Sequence, residues 1–150
     1  MEKYIINNKT VALKREKNKT IIYNVDKAQV FNTNINKIID YSCNFYGSTL
    51  FGRKISAQNI LNIKYKIPIL IDEKNNIILI QLTSPRNLKC IYLVTNKIVD
   101  YEEEKNYLKI ICVNNIVFYV KISKNSFEKM LIKSFRLNNI LFWRKNVNFL

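Results

Sequence analysis

The apolar residues of this chain come in short runs, and Lys or Asn interrupts every one of them. No run approaches the roughly 20 apolar residues that a membrane-spanning helix requires. What remains is a chain of short strands joined by turns. Lys3 to Ile6, Thr10 to Lys14, Thr20 to Tyr23 and Ala28 to Phe31 are such runs. Asn7-Asn8 and the polar stretch from Arg15 to Lys19 supply the turns between them. Further along, Asn59 to Tyr65 alternates apolar and polar residues, and Ile69 to Ile71 and Ile77 to Leu82 flank a turn at Asp72 to Asn76. Cys90 to Val94 and Lys97 to Tyr101 form another expected pair. Tyr107 to Val113 and Ile116 to Ile122 meet at Asn114-Asn115, two residues tolerant of positive φ, which predicts a tight hairpin.

Two segments change period. Ile35, Ile38 and Ile39 fall three and four apart, the spacing of a helix face. Asn125 with Glu128 has the form of a capping box, followed by an apolar stripe of Phe127, Met130, Leu131 and Phe135. The expected class is α+β: mainly antiparallel β-strands, a short helix near 34–43 and a longer C-terminal helix near 126–142. Pro68 and Pro85 read as loop or strand-edge markers. With no repeat and no linker, the 150 residues form one domain, 1–150.

The chain carries 25 basic and 11 acidic residues, a formal charge of +14. AT-rich codons raise Lys together with Ile and Asn, which number 20, 24 and 22. The same codon drift also raises Glu, so the small acidic count leaves part of the excess to function. Positive charge on this scale points to an extended polyanion, nucleic acid ahead of a membrane surface. The N-terminus MEKYIINNKT lacks the long apolar stretch of a secretory signal, and cytoplasmic residence is the expectation.

Catalytic chemistry finds little support. There is no histidine, which removes His-based acid–base catalysis, Ser-His and Cys-His pairs, and His metal ligands. Cys43, Cys90 and Cys112 are odd in number and contain no CxxC spacing, so neither a disulfide framework nor a zinc site is indicated. Gly47 and Gly52 stand four residues apart as in a Walker loop. Arg53 occupies the lysine slot, however, and Lys54 the Ser/Thr slot, and a helix precedes them where that loop follows a strand. Glu102 to Glu104 reads as a solvated turn. No catalytic residue, metal ligand or cofactor is expected, and the protein is read as a non-enzyme.

Two basic groups stand out. Arg53-Lys54 follows Gly52 on what reads as a glycine loop, and suits contact with phosphate. Lys129, Lys133 and Arg136 form a stripe on the late helix, and no acidic residue follows Glu128. An ordinary solvated face mixes the two signs. A basic module that binds RNA or an acidic protein is the alternative reading, with aromatics stacking on unpaired bases.

The stretch SCNFYGSTLFGRK at 42–54 resembles the signature segment of the ComK family, the competence transcription factors of Firmicutes. YIINNKTVAL at 4–13 and NINKIIDY at 34–41 are similar to that family's first strands and first helix. KIPILID at 66–72, LTSPRNLKCIYL at 82–93 and NSFEKMLIKSFRLN at 125–138 follow in the family's order. Ile67 stands where a first proline is common, Tyr92 where Trp is common, and Gln81-Leu82-Thr83 lacks a Pro-Thr. The resemblance implies a self-associating, nucleoid-associated DNA-binding activator of DNA-uptake genes that acts at paired A/T-rich boxes, with RNA polymerase a further partner. No family motif assigns contacts residue by residue. On electrostatic grounds the expected DNA-binding residues are Arg53, Lys54, Lys129, Lys133 and Arg136.

Overall fold

A computed structural model describes residues 2–83 and 89–146. The proline marker at 85 and the middle of the 82–93 segment lie outside the described residues. Among those described, nine strands form two antiparallel sheets. The larger is built from β1 (Thr10–Glu16), β2 (Lys19–Asn24), β3 (Ala28–Phe31), β4 (Ile69–Asp72), β5 (Ile77–Gln81) and β6 (Ile91–Val94). They lie in the order β3-β2-β1-β6-β5-β4. The smaller sheet holds β7 (Ile98–Glu103), β8 (Leu108–Cys112) and β9 (Val117–Val120) in sequence order. Three helices complete the fold: α1 (Ile35–Phe45), α2 (Leu50–Leu61) and α3 (Lys124–Asn146).

The unbroken apolar runs of β4, β5 and β6 follow from burial on both faces, which removes the usual alternation of a half-solvated strand. Ala12 pairs with Leu93, and Leu13 with Tyr92. The pleat therefore sends Leu13, Tyr92 and Leu79 to one side, where they meet Ile35, Ile38, Ile39 and Cys43 of α1. Ala12, Leu93 and Ile80 go to the other side. There they pack on Leu108, Ile110 and Phe118 of the small sheet, and on Phe127 and Met130 of α3. At the β4–β5 end, Leu70 and Ile78 meet Ala57 and Leu61 of α2 and Leu137 of α3. Helix α2 thus closes the edge of the sandwich and touches both α1 and α3.

The α+β class, both expected helices and most strands appear where the periodicity placed them. Asn114 and Asn115 both take positive φ, 57° and 59°, at the predicted hairpin. Five expectations need correction. Cys90 to Val94 and Lys97 to Tyr101 do not pair with each other: β6 lies between β1 and β5 in the larger sheet, and β7 pairs with β8 in the smaller. Lys3 to Ile6 is not a strand; the buried Ile6 N–H donates to Ser42 Oγ at 3.0 Å, and Tyr46 Oη donates to Ile6 O at 2.9 Å. Side chains of α1 satisfy this segment in place of a neighbouring strand. Asn59 to Tyr65 is not a strand either, because α2 runs to Leu61 and ends on left-handed Asn62. The capping box at Asn125 is absent: Ser123 Oγ accepts from Ser126 N at 3.0 Å and caps α3, while Glu128 accepts a 2.7 Å hydrogen bond from Tyr101 Oη. Finally, Phe135 is 69% exposed, and the buried side of α3 runs through Phe127, Met130, Ser134 and Leu137.

The three cysteines are buried and free. Burial pushes the Cys43 and Cys112 thiols up to about 11, so they stay protonated and pack as small apolar groups. No helix of the described residues is long and apolar enough to cross a membrane.

Candidate nucleic-acid interface

The glycine-containing stretch is a tight connection between two helices. Gly47 adopts φ +92°, in the left-handed region that an L side chain resists. Gly47 N bonds Asn44 O at 3.0 Å and Ser48 N bonds Cys43 O at 2.9 Å, the paired bonds of a Schellman ending for α1. Thr49 then caps α2, its Oγ1 accepting from Gly52 N at 2.8 Å. Asp40 of α1 accepts from Leu50 N at 2.9 Å, placing a carboxylate at the positive end of α2. A Cβ at Gly52 would sit 3.0 Å from Thr49 Oγ1. The second glycine makes room for the cap and forms no part of a phosphate loop.

Arg53 and Lys54 consequently lie on helix α2 and not on a loop, and they face different neighbours. Arg53 lines a small pocket of about 220 Å³ with Ala57, Leu70, Glu73, Leu137 and Lys145. Its Nε is buried without a hydrogen-bond partner, and Glu73 is paired with Lys145. Lys54 lines a separate cleft of about 540 Å³ with Tyr65, Lys66, Ile67, Gln81, Leu82 and Thr83. No acidic side chain is among these lining residues.

Helix α3 is tied to the segment that borders this cleft. Lys133 Nζ donates to Tyr65 O at 3.0 Å, tying α3 to the segment after α2. Burial lowers the Lys133 pKa from its ordinary value, and the charges of Lys66 and Lys129 lower it further. Such mutual repulsion marks a true cluster of cations. Lys66 itself has φ +50°, an uncommon conformation for a long side chain and one that other contacts must hold in place. Arg136 is exposed, three residues beyond Lys133. The ion pairs Lys109–Glu102 and Lys145–Glu73 involve none of Lys54, Lys66, Lys129, Lys133 and Arg136.

Of the five residues singled out from the sequence, Lys129 and Lys133 lie near each other on α3, with Arg136 further along that helix, and Lys54 lines the cleft that Lys66 also borders. Arg53 is placed on the other side of α2. Lys66 and the 78% exposed Tyr65 were not singled out. The interleaved Lys64-Tyr65-Lys66 was the available signal, and the strand reading of 59–65 obscured it. Lys133 bonds the Tyr65-Lys66 segment, and its charge stands near those of Lys66 and Lys129.

These features fall within a span that matches known proteins. The family described as ComK protein matches residues 1–145. The competence transcription factor of Bacillus subtilis (strain 168) is 28% identical over 139 residues, covering 89% of this chain and 72% of that protein. No solved structure matches the chain. The family match takes in every described strand, α1, α2, the turn between them and all but the last residue of α3; the chain belongs to the ComK family.

Proposed function

We propose that this protein is a transcription factor that activates genes for DNA uptake by binding A/T-rich promoter duplexes in the bacterial cytoplasm. The observation that carries the reading is a group of cations from three segments: Lys54 and Lys66 line one cleft without a carboxylate, and Lys66 stands near Lys133 and Lys129 of α3. The name of the Bacillus subtilis relative, a competence transcription factor, supports the regulatory role. Folding four cations together is costly unless a polyanion neutralises them, and DNA phosphates do so with release of counterions. A/T-rich sequence suits this chemistry, because its narrow minor groove concentrates negative potential that attracts Lys and Arg. Self-association would place two such clefts on paired boxes, and RNA polymerase would be recruited beside them.

Affinity for an A/T-rich duplex measured against salt tests the reading. Five contacts, Arg136 included, give a log–log slope of about −4.5, or about a 500-fold loss for a fourfold rise in salt. Replacing Lys54 and Lys66 together by Gln should make the slope shallower by about 1.8. An unchanged slope in the folded double variant would remove the cleft from the interface. Tighter binding of single-stranded RNA than of duplex would favour the RNA-module reading instead.

A further inference from the structure

The outer face of the small sheet carries a second cluster that the duplex-binding cleft does not use. Leu108, Ile110, Phe118 and Val120 point into the core, so Tyr107, Lys109 and Tyr119 fall on the opposite face of β8 and β9. Tyr107 and Tyr119 are 41% and 58% exposed. Their rings meet edge to face, 5.5 Å between centres and inclined at 82°. Beside them lies a cleft of about 370 Å³ lined by both rings and by Lys14, Lys89 and Lys121, with Thr83 and Ile91 at its inner wall. No acidic side chain lines it. Thr83 also borders the Lys54–Lys66 cleft, so the two basic surfaces share a wall.

A pair of aromatic rings beside three ammonium groups offers two interactions at once, stacking for a flat base and charge for its backbone. Together these bind unpaired nucleotides. A closed duplex keeps its base faces stacked on one another and would engage only the lysines. On the far side of Tyr107, Glu103 and Glu104 stand among Lys105, Lys121 and Lys124, whereas the cleft running toward Thr83 is lined by lysines without an acidic side chain.

We propose that Tyr107 and Tyr119, with Lys14, Lys89 and Lys121, bind single-stranded DNA, a strand unpaired from the duplex held in the adjoining cleft. Naming the strand as DNA rests on the duplex reading, through the shared wall at Thr83. The stacking surface itself does not depend on that reading.

Three labelled probes separate the possibilities: oligo(dT) and oligo(U) of about a dozen nucleotides, and a fully paired A/T-rich duplex. Replacing both tyrosines by Leu should weaken oligo(dT) binding about 10- to 100-fold and leave duplex affinity within about threefold. Replacing both by Phe should preserve oligo(dT) binding. Photocrosslinking of bromodeoxyuridine-substituted oligo(dT) to the unaltered protein should label Tyr107 or Tyr119. The proposal is overturned if the Leu variant keeps its oligo(dT) affinity, if it loses both probes equally, or if crosslinks map elsewhere. Tighter binding of oligo(U) than oligo(dT) overturns the assignment to DNA. Loss of duplex binding in Lys54 and Lys66 variants with oligo(dT) binding intact would separate failure at one surface from failure at the other.

Discussion

Arg53 and Lys54 are adjacent cations in sequence, and they should behave as residues of different kinds. Consecutive side chains on a helix point about 100° apart, and here that rotation sends Arg53 toward α3 and Lys54 into the basic cleft. The Arg53 stem packs beside Ala57, Leu70 and Leu137, and its Nε is buried without a partner. Arg53→Met retains the stem and removes the unpartnered donor, an unsatisfied group that costs about 1–3 kcal/mol. Loss of the guanidinium's other interactions offsets part of that relief, and the expected net change is within about 1 kcal/mol, on the stabilising side. Arg53→Ala also lacks the stem that Met keeps, a methylene, a sulfur and a methyl, and at about 0.8 kcal/mol for each of the two carbons it should fall at least about 1.6 kcal/mol below Arg53→Met. For a domain of this size that separates their thermal midpoints by about 3–6 °C. Lys54→Gln should shift the midpoint little and make the salt slope for duplex binding shallower by about 0.9. Thermal melts and salt titrations of these three variants give both axes. The reasoning fails if Arg53→Met changes the slope as Lys54→Gln does, or if the Met and Ala variants melt together.

Gly47→Ala forces a side chain into the left-handed region and should cost about 1–2 kcal/mol, whereas Gly52→Ala trades improved helix propensity against a crowded Thr49 cap and should lie near zero; chemical denaturation resolves the two. Ser42→Ala leaves the buried Ile6 N–H without its acceptor and should cost about 1–3 kcal/mol, with the Ile6 amide exchanging faster with solvent. Ser123→Ala should cost about 1 kcal/mol through loss of the α3 cap, and Asn125→Ala much less. Cys43 and Cys112 carry folded pKa values raised from 9.0 to about 11. Their contribution is complete below pH 9 and is lost as pH rises toward 11, because the unfolded thiols ionise first. Replacing both by Ala should flatten that alkaline decline in urea melts.

The strands were legible because their signal is local. Each is a short apolar run closed by residues that turn easily, and Asn114-Asn115 shows the rule at its most direct. Helix α2 was not legible, and the reason is geometric. It sits at the end of the sandwich and buries Ala57 and Leu61, while Phe51 and Ile55 remain exposed. A helix docked by so narrow a strip writes no three-and-four periodicity, and the alternation of 59–65 then mimics a strand. Phe135 misled in the opposite direction, as an aromatic at helical spacing whose side chain stays largely exposed.

The functional site repeats this division. Charge, the absence of histidine and the lack of acids after Glu128 are properties of composition, and they pointed to a polyanion without any structure. Which cations act together is set by which elements meet. Lys54, Lys66 and Lys133 are separated by 12 and 67 residues in sequence, and they are linked through the Tyr65-Lys66 segment, which borders the Lys54 cleft and accepts the Lys133 hydrogen bond, because α2 and α3 both pack against the β4–β5 end of the sheet. Arg53 is the counterexample, since its nearest basic neighbour in sequence lies in a different cavity. Adjacent basic residues therefore identify a segment worth inspecting, but the helix rotation decides which of them meets the ligand. Lys133 carries more weight than its position in a regular stripe suggested, because it bonds across to the segment that carries Lys66. Removing Lys133 should disturb the placement of Tyr65 and Lys66 as well as the charge, and its effect on duplex affinity should exceed that of Arg136, which stands exposed at the margin.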